Sequence, residues 1–150
     1  GHMNKPAIVV HTVETEDDPA WKILVEARDD LSSNVPFFCE RQLNEMDFRT
    51  FLVATIERTV TGIVALRKES LRLENALGVG YISTHRDFRN MGVATAMVRA
   101  LFAHAKRQGK AIANTRYELD GQIYLRPVME RVWNKYPTVE LNERDYDGPI

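Results

Sequence analysis

The chain is poor in cysteine: among its 150 residues only Cys39 carries a thiol. One thiol forms no intrachain disulfide and makes no zinc site by itself, so a reducing, cytoplasmic setting is expected. Cys39 stands in VPFFCERQL beside Phe37 and Phe38, and the setting reads as a buried structural thiol. No apolar run approaches the roughly 18 residues of a membrane span. Strong charge of one sign is also missing. The net charge of −1 argues against a general nucleic-acid binder. There are no internal repeats, no low-complexity linker and no secretory signal pattern. Gly1-His2-Met3 reads as the scar of a removed tag. That leaves residues 4–142 as one domain and 143–150 as an acidic tail.

What is present is ordinary in amount and uneven in placement. Hydrophobic residues make up 44% and charged residues 27%, and a globular chain of this size buries roughly 70% of its unfolded surface. Residues 14–30 hold seven acids and two bases, whereas residues 86–110 hold six bases and one acid, Asp87. Two solvated faces of opposite sign would explain this. So would an anion site in the second segment, and charge alone leaves both open.

AIVVHTV (7–13) has strand composition. Asp18 as N-cap and Pro19 at the first helical position start a helix that SSN (32–34) is expected to break. A second, shorter helix is expected over 36–46. TFLVATI (50–56) and TGIVALR (61–67) form a hairpin around Glu57-Arg58. A charged loop leads to a strand over 76–83, a helix over 92–108, a strand over 110–116, a helix over 121–136 and a strand near 138–141. The order β-α-α-β-β-β-α-β-α-β predicts an α/β fold with a mixed sheet and helices packed on its faces. The strands at 76–83 and 110–116, joined by the 92–108 helix, should be parallel.

The start of that helix raises the chemical question. Arg89-Asn90-Met91-Gly92-Val93-Ala94-Thr95 places a glycine and a small alanine where unpaired N–H groups and the positive end of the macrodipole would face an anion. Arg86 and Arg89 add charge. No Walker loop is present. Gly78-Val79-Gly80 fails as a dinucleotide fingerprint, because Ser83 stands at the third glycine position and the run lies inside a strand. The helix body needs only a core, with Val93, Met97 and Leu101 recurring every fourth residue. Gly109 closes it beside Lys106 and Arg107.

The pattern Arg/Gln-x-x-Gly-x-Gly/Ala, met by Arg89, Gly92 and Ala94, resembles the pyrophosphate loop of the GNAT superfamily of acyl-CoA-dependent N-acetyltransferases. YISTHRDFRNMGVA looks like that family's fourth strand and loop, with Phe88 at the aromatic position. ATIERTVTGIVAL looks like its second and third strands, with Gly62 at its usual site. The resemblance covers roughly residues 7–141. It implies a GNAT-like, mostly antiparallel central sheet splayed between strands four and five, with helices on both faces. It implies transfer of an acetyl group from acetyl-CoA, as co-substrate, to a primary amine by direct attack through a tetrahedral intermediate. No metal is implied.

Carried over by position, Ile82, Ser83 and Thr84 would meet the pantetheine arm, and Arg89, Asn90, Met91, Gly92, Val93, Ala94 and Thr95 would cradle the diphosphate. In many members a tyrosine of the helix after strand five serves the leaving thiolate. Here the usual Asn-led helix is replaced by ELDGQIYLRPVMERVWNKYP. Asp120 stands as cap and Pro127 interrupts the helix. Tyr124 takes the catalytic position, with Tyr117 second and packing against the sheet as the alternative. The general base stays open among Glu74, a water relay on Tyr81 and Ser83, and His85; His11 and His104 read as structural. The acidic first helices suit a cationic acceptor, which is either a small molecule or a protein. A homodimer is compatible with the resemblance, as is a non-catalytic acyl-CoA-binding regulatory module.

Overall fold

Two consecutive apolar runs, FLVATI and VTGIVAL, build the centre of the fold because both of their faces are covered. The computed structural model describes residues 7–44, 48–67, 76–113, 131 and 140–141. Within them, β1 (Ile8–Val13), β2 (Phe48–Ile56), β3 (Thr59–Arg67), β4 (Ala76–Leu77), β5 (Val79–Thr84), β6 (Ala111–Ala113) and β7 (Glu140–Leu141) are strands. The helices are α1 (Pro19–Glu26), α2 (Arg28–Asn34) and α3 (Val93–Gln108), with short 3-10 turns at Glu40–Leu43 and Arg86–Phe88.

β1, β2, β3 and β5 form an antiparallel sheet in that order. Side chains alternate across it. Leu52, Ala54, Val64 and Leu66 join Val93, Met97, Leu101 and Phe102 of α3 in one core, and Phe51, Val53, Ile63 and Ala65 join Leu24 and Leu31 of α1 and α2 in the other. Helices therefore lie on both faces. Gly62 sets the approach of α3. A Cβ placed there would lie 2.7 Å from Met97 Sδ and 2.9 Å from Val93 Cγ1.

The strand expected over 76–83 is two strands. At Gly78 the chain leaves a parallel pairing with β6 (Ala76 opposite Ala111) and enters the antiparallel pairing of β5 with β3. Gly78 O accepts from Arg67 N–H at 2.8 Å. The parallel relation of the two strands flanking α3 holds, but only below this break. Above it no described strand pairs with the other edge of β5.

Three local expectations are corrected. SSN does not break the first helix. Ser32 Oγ donates to Arg28 O and Asn34 Nδ2 to Asp30 O, so these side chains bond back one turn and the residues stay helical. The break falls at Ala27, where Arg28 Nη1 donates to Val25 O at the end of α1. The helix expected over 36–46 shrinks to the 3-10 turn, because Phe37 takes a left-handed φ of 72°. Cys39 is exposed rather than buried: its own extended backbone leaves Phe38 turned inward and Cys39 outward. Asp18 and Pro19 do start α1, yet the Asp18 carboxylate accepts from the N–H groups of Thr15 and Glu14 instead of capping the helix. Those two bonds hold its pKa below the usual value. Of the helix read over 121–136 only Arg131 is among the described residues, and Asp120, Pro127 and most of the 68–76 loop lie outside them.

His104 on α3 is only 5% exposed. Burial lowers its pKa below 6.5, nearby Arg107 adds to the effect, Glu14 opposes it, and Lys110 adds a little more. The unfolded chain takes up a proton near pH 6.5 that the folded chain refuses, so stability present above that pH is lost as pH falls toward the lowered folded value. The melting temperature of the protein is expected to drop between pH 7 and pH 5 more steeply than that of a His104→Gln variant. Parallel curves for the two proteins would contradict this.

Candidate functional site

The mouth of α3 is built by two left-handed residues in a short loop. Asn90 has φ 65° and Gly92, the N-cap residue, φ 87°. No side chain caps the helix, whose first backbone bond runs from Ala96 N–H to Gly92 O at 3.0 Å. The nearest atom to a Cβ at Gly92 would be Ile8 Cδ1 at 3.8 Å. There is room for a side chain; the positive φ is what demands glycine. Met91 beside it is a large apolar residue left 44% exposed. Arg86 and Arg89 are exposed, and among the described residues no acid pairs with either. The surface at this mouth is thus cationic, bare and free of internal plugs among the described residues.

The loop is anchored from below. His85 is 3% exposed. Its Nδ1 accepts from Asp87 N–H at 3.1 Å, which leaves the proton on Nε2 to be donated to Asp30 Oδ2 at 3.0 Å. Asp30 Oδ1 in turn accepts from Asn34 Nδ2 at 2.8 Å. Phe88 stacks edge-on against the imidazole, with ring centroids 5.2 Å apart, and packs on the α3 core. Both ring nitrogens of His85 are committed, so it positions the loop rather than serving as a base.

β5 leads into this loop with its outer edge open among the described residues. His85 N–H donates to Thr61 O of β3. In an antiparallel ladder alternate residues face the partner, so the backbones of Tyr81, Ser83 and His85 turn to β3. Those of Ile82 and Thr84 turn to the open edge. Ser83 is 6% exposed and is the least suited of the three residues to meet a ligand there. Tyr81 faces α2, and its hydroxyl donates to Gln42 Oε1 at 2.6 Å. Burial pushes that phenol well above its ordinary pKa, with Cys39 adding to the shift, so it stays protonated and is a poor base.

Tyr117, Tyr124 and Glu74 lie outside the described residues. His11 bonds Thr55 Oγ1 at 3.1 Å in the sheet. One residue was missed by the sequence reading. Arg131 Nη2 donates to Thr95 Oγ1 at 3.2 Å, in the first turn of α3, bringing a third guanidinium to the mouth. Thirty-six residues separate the pair, and no local signal announces the contact. Among the described residues no group of three or more metal-ligating side chains occurs, and no helix is long and apolar enough to cross a membrane.

The chain belongs to the Acetyltransferase (GNAT) family, whose sequence model matches residues 12–122. No curated protein matches the sequence. Solved structures share the fold. An aminoglycoside acetyltransferase from an uncultured soil metagenomic sample is 14% identical with a TM-score of 0.57, over 90% of this chain and 91% of that one. The ribosomal-protein-S18-alanine N-acetyltransferase of Escherichia coli is 13% identical with a TM-score of 0.58, over 84% and 76%. AAC(6')-Iy, solved with a CoA-linked bisubstrate analogue, is 11% identical with a TM-score of 0.55, over 91% and 93%.

Proposed function

We propose that this enzyme moves the acetyl group of acetyl-CoA to a primary amine, and that the mouth of α3 holds the donor. The observation that carries the proposal is the uncapped helix start at Gly92, ringed by Arg86, Arg89 and Arg131. The first-turn N–H groups of Val93, Ala94 and Thr95 and the macrodipole favour a diphosphate. Met91 lends apolar contact, and Asn90 turns the loop. The thioester arm then runs along the open edge of β5, bonding the backbones of Thr84 and Ile82. A β5 N–H aimed at the thioester oxygen stabilises the oxyanion as the amine attacks, worth about 3 kcal/mol for one such donor. The acceptor, an ammonium of pKa near 10, must first lose a proton. Tyr124 is assigned to the departing thiolate, with Tyr117 as its alternative.

Donor and acceptor enter from opposite faces. α3 lies on one face of the sheet; α1 and α2, with Asp29, Asp30 and Glu40 beside them, lie on the other. These exposed acids suit a cationic acceptor.

Two measurements test the proposal together. Calorimetric titration should show acetyl-CoA binding, and free thiol should appear when acetyl-CoA is mixed with a panel of primary amines. Binding without thiol release on any amine would replace the enzyme reading with that of a regulatory acyl-CoA-binding module. No binding would remove the donor assignment altogether.

A further inference from the structure

Phe37 is out of place by two measures. It is 61% exposed, and it holds a left-handed φ of 72°. An aromatic residue seldom accepts that backbone, and such strain persists only where surrounding contacts enforce it. The contacts are visible. Phe37 O accepts from Gln42 Nε2 at 2.9 Å, and Gln42 Oε1 accepts from the Tyr81 hydroxyl at 2.6 Å. The Phe37 and Tyr81 rings lie 6.3 Å apart, tilted by 33°. Gln42 thus ties the strained residue to β5, on the face opposite α3. Tyr81 precedes Ile82, at the open edge, and lies about 10 Å up the strand from Thr84 at about 3.3 Å per residue. A groove of about 470 Å³ opens next along the chain, where Asp29 and Glu40 line it with Phe38 and Cys39, the two residues that follow Phe37.

The Phe37 ring is left mostly in water, so the fold draws little burial from it. A ligand would draw more, because two tilted rings offer the offset and edge-on contacts that aromatic groups prefer. Asp29, with Glu40 opposite Arg28 at 3.9 Å, adds negative charge to that adjoining groove. We infer that Phe37 and Tyr81 form the specificity wall of the acceptor site and that the acceptor is an arylalkylamine, a primary amine carried on an aromatic body. The inference rests on the acetyl-transfer reading and narrows its acceptor.

The test compares 2-phenylethylamine with n-butylamine as acceptors, by thiol release from acetyl-CoA, in the wild-type protein and in Phe37→Ala and Phe37→Trp variants. Acetyl-CoA binding is measured calorimetrically in each. The wild type is expected to prefer the aromatic amine by about tenfold or more in kcat/KM. Phe37→Ala should erase that preference, chiefly by lowering kcat/KM for 2-phenylethylamine, and leave acetyl-CoA affinity unchanged, while Phe37→Trp should retain the preference. Phe37 is exposed, so neither variant removes core contacts. Equal use of the two amines by the wild type, use of neither despite acetyl-CoA binding, or an unchanged preference in Phe37→Ala would each overturn the inference alone. Absence of acetyl-CoA binding in the wild type would overturn the donor reading and this inference with it.

Discussion

Replacing Arg89 by glutamate is expected to weaken coenzyme A binding by two to three orders of magnitude without unfolding the protein. Arg89 is exposed and, among the described residues, has no ion-pair partner, so the fold does not depend on it. Surface substitutions of this kind usually move stability by about 0.5 kcal/mol or less. Its part in binding is larger. A hydrogen bond to a charged group contributes about 1.5–3 kcal/mol. A carboxylate in its place adds repulsion of about 1–4 kcal/mol at contact distance near a protein surface. Together these span about 2.5–7 kcal/mol, and the lower part expected for a solvated site, about 3–4 kcal/mol, is roughly 10²–10³-fold in affinity. Arg131→Ala removes attraction without adding repulsion, so its loss should be smaller, near tenfold. Titration of coenzyme A into each variant, with circular dichroism to show the fold intact, checks both values. Wild-type affinity in Arg89→Glu would mean that the diphosphate lies elsewhere.

Gly62→Val is expected to be the most damaging single change in the described core. The Cβ alone would lie within 3 Å of Met97 Sδ, Met97 Cε and Val93 Cγ1. Met97 and Val93 are 0% and 1% exposed, so the added atoms meet packed core. Overpacking of this kind costs about 1–3 kcal/mol or more, which for about 150 residues lowers the melting temperature by about 2–4 °C per kcal/mol. The displaced part is the first half of α3, so acetyl-CoA affinity should fall with stability, in contrast to Arg89→Glu. The smaller change Gly62→Ala offers a check on the cause. Two of its three close neighbours are the flexible end of Met97. Combined with Met97→Ala, the added methyl occupies vacated volume, and the double variant should be more stable than the sum of the single effects by about 1 kcal/mol. Additive losses would show that crowding against Met97 is not the reason for the glycine.

Much of the fold was legible in the sequence because its signals are local. The α3 stripe of Val93, Met97 and Leu101 lies in the core, and Gly109 closes the helix with φ 64°. The β2–β3 hairpin turns at Glu57-Arg58. Misreadings occurred where a side chain or a distant element decides the outcome. Ser32 and Asn34 were read as breakers because they favour turns, yet their bonds to Arg28 O and Asp30 O keep them in the helix. Gly78 gave no sign of its task, since passing from one sheet to the other is settled by β3 and β6 together. Cys39 was judged by its aromatic neighbours, and in extended backbone the side chains flanking a buried one point outward.

The local shape of Arg89 to Thr95 was similarly readable, since these residues form one loop and one helix turn. The motif could not reveal that Gly92 is required by its backbone angle rather than by crowding. It could not disclose Arg131, thirty-six residues away. Nor could it give the brace from Tyr81 through Gln42 to Phe37, which joins β5 to the segment after α2.

Amide NMR of the protein titrated with coenzyme A tests the central claim most directly. The N–H resonances of Gly92, Val93, Ala94 and Thr95 should shift most, with those of Ile82 and Thr84 following when the full thioester is used. Acetylcysteamine thioester, which has no phosphates, should leave the Gly92–Thr95 signals in place. Shifts confined to another surface, or none at millimolar coenzyme A, would contradict a donor held at the mouth of α3.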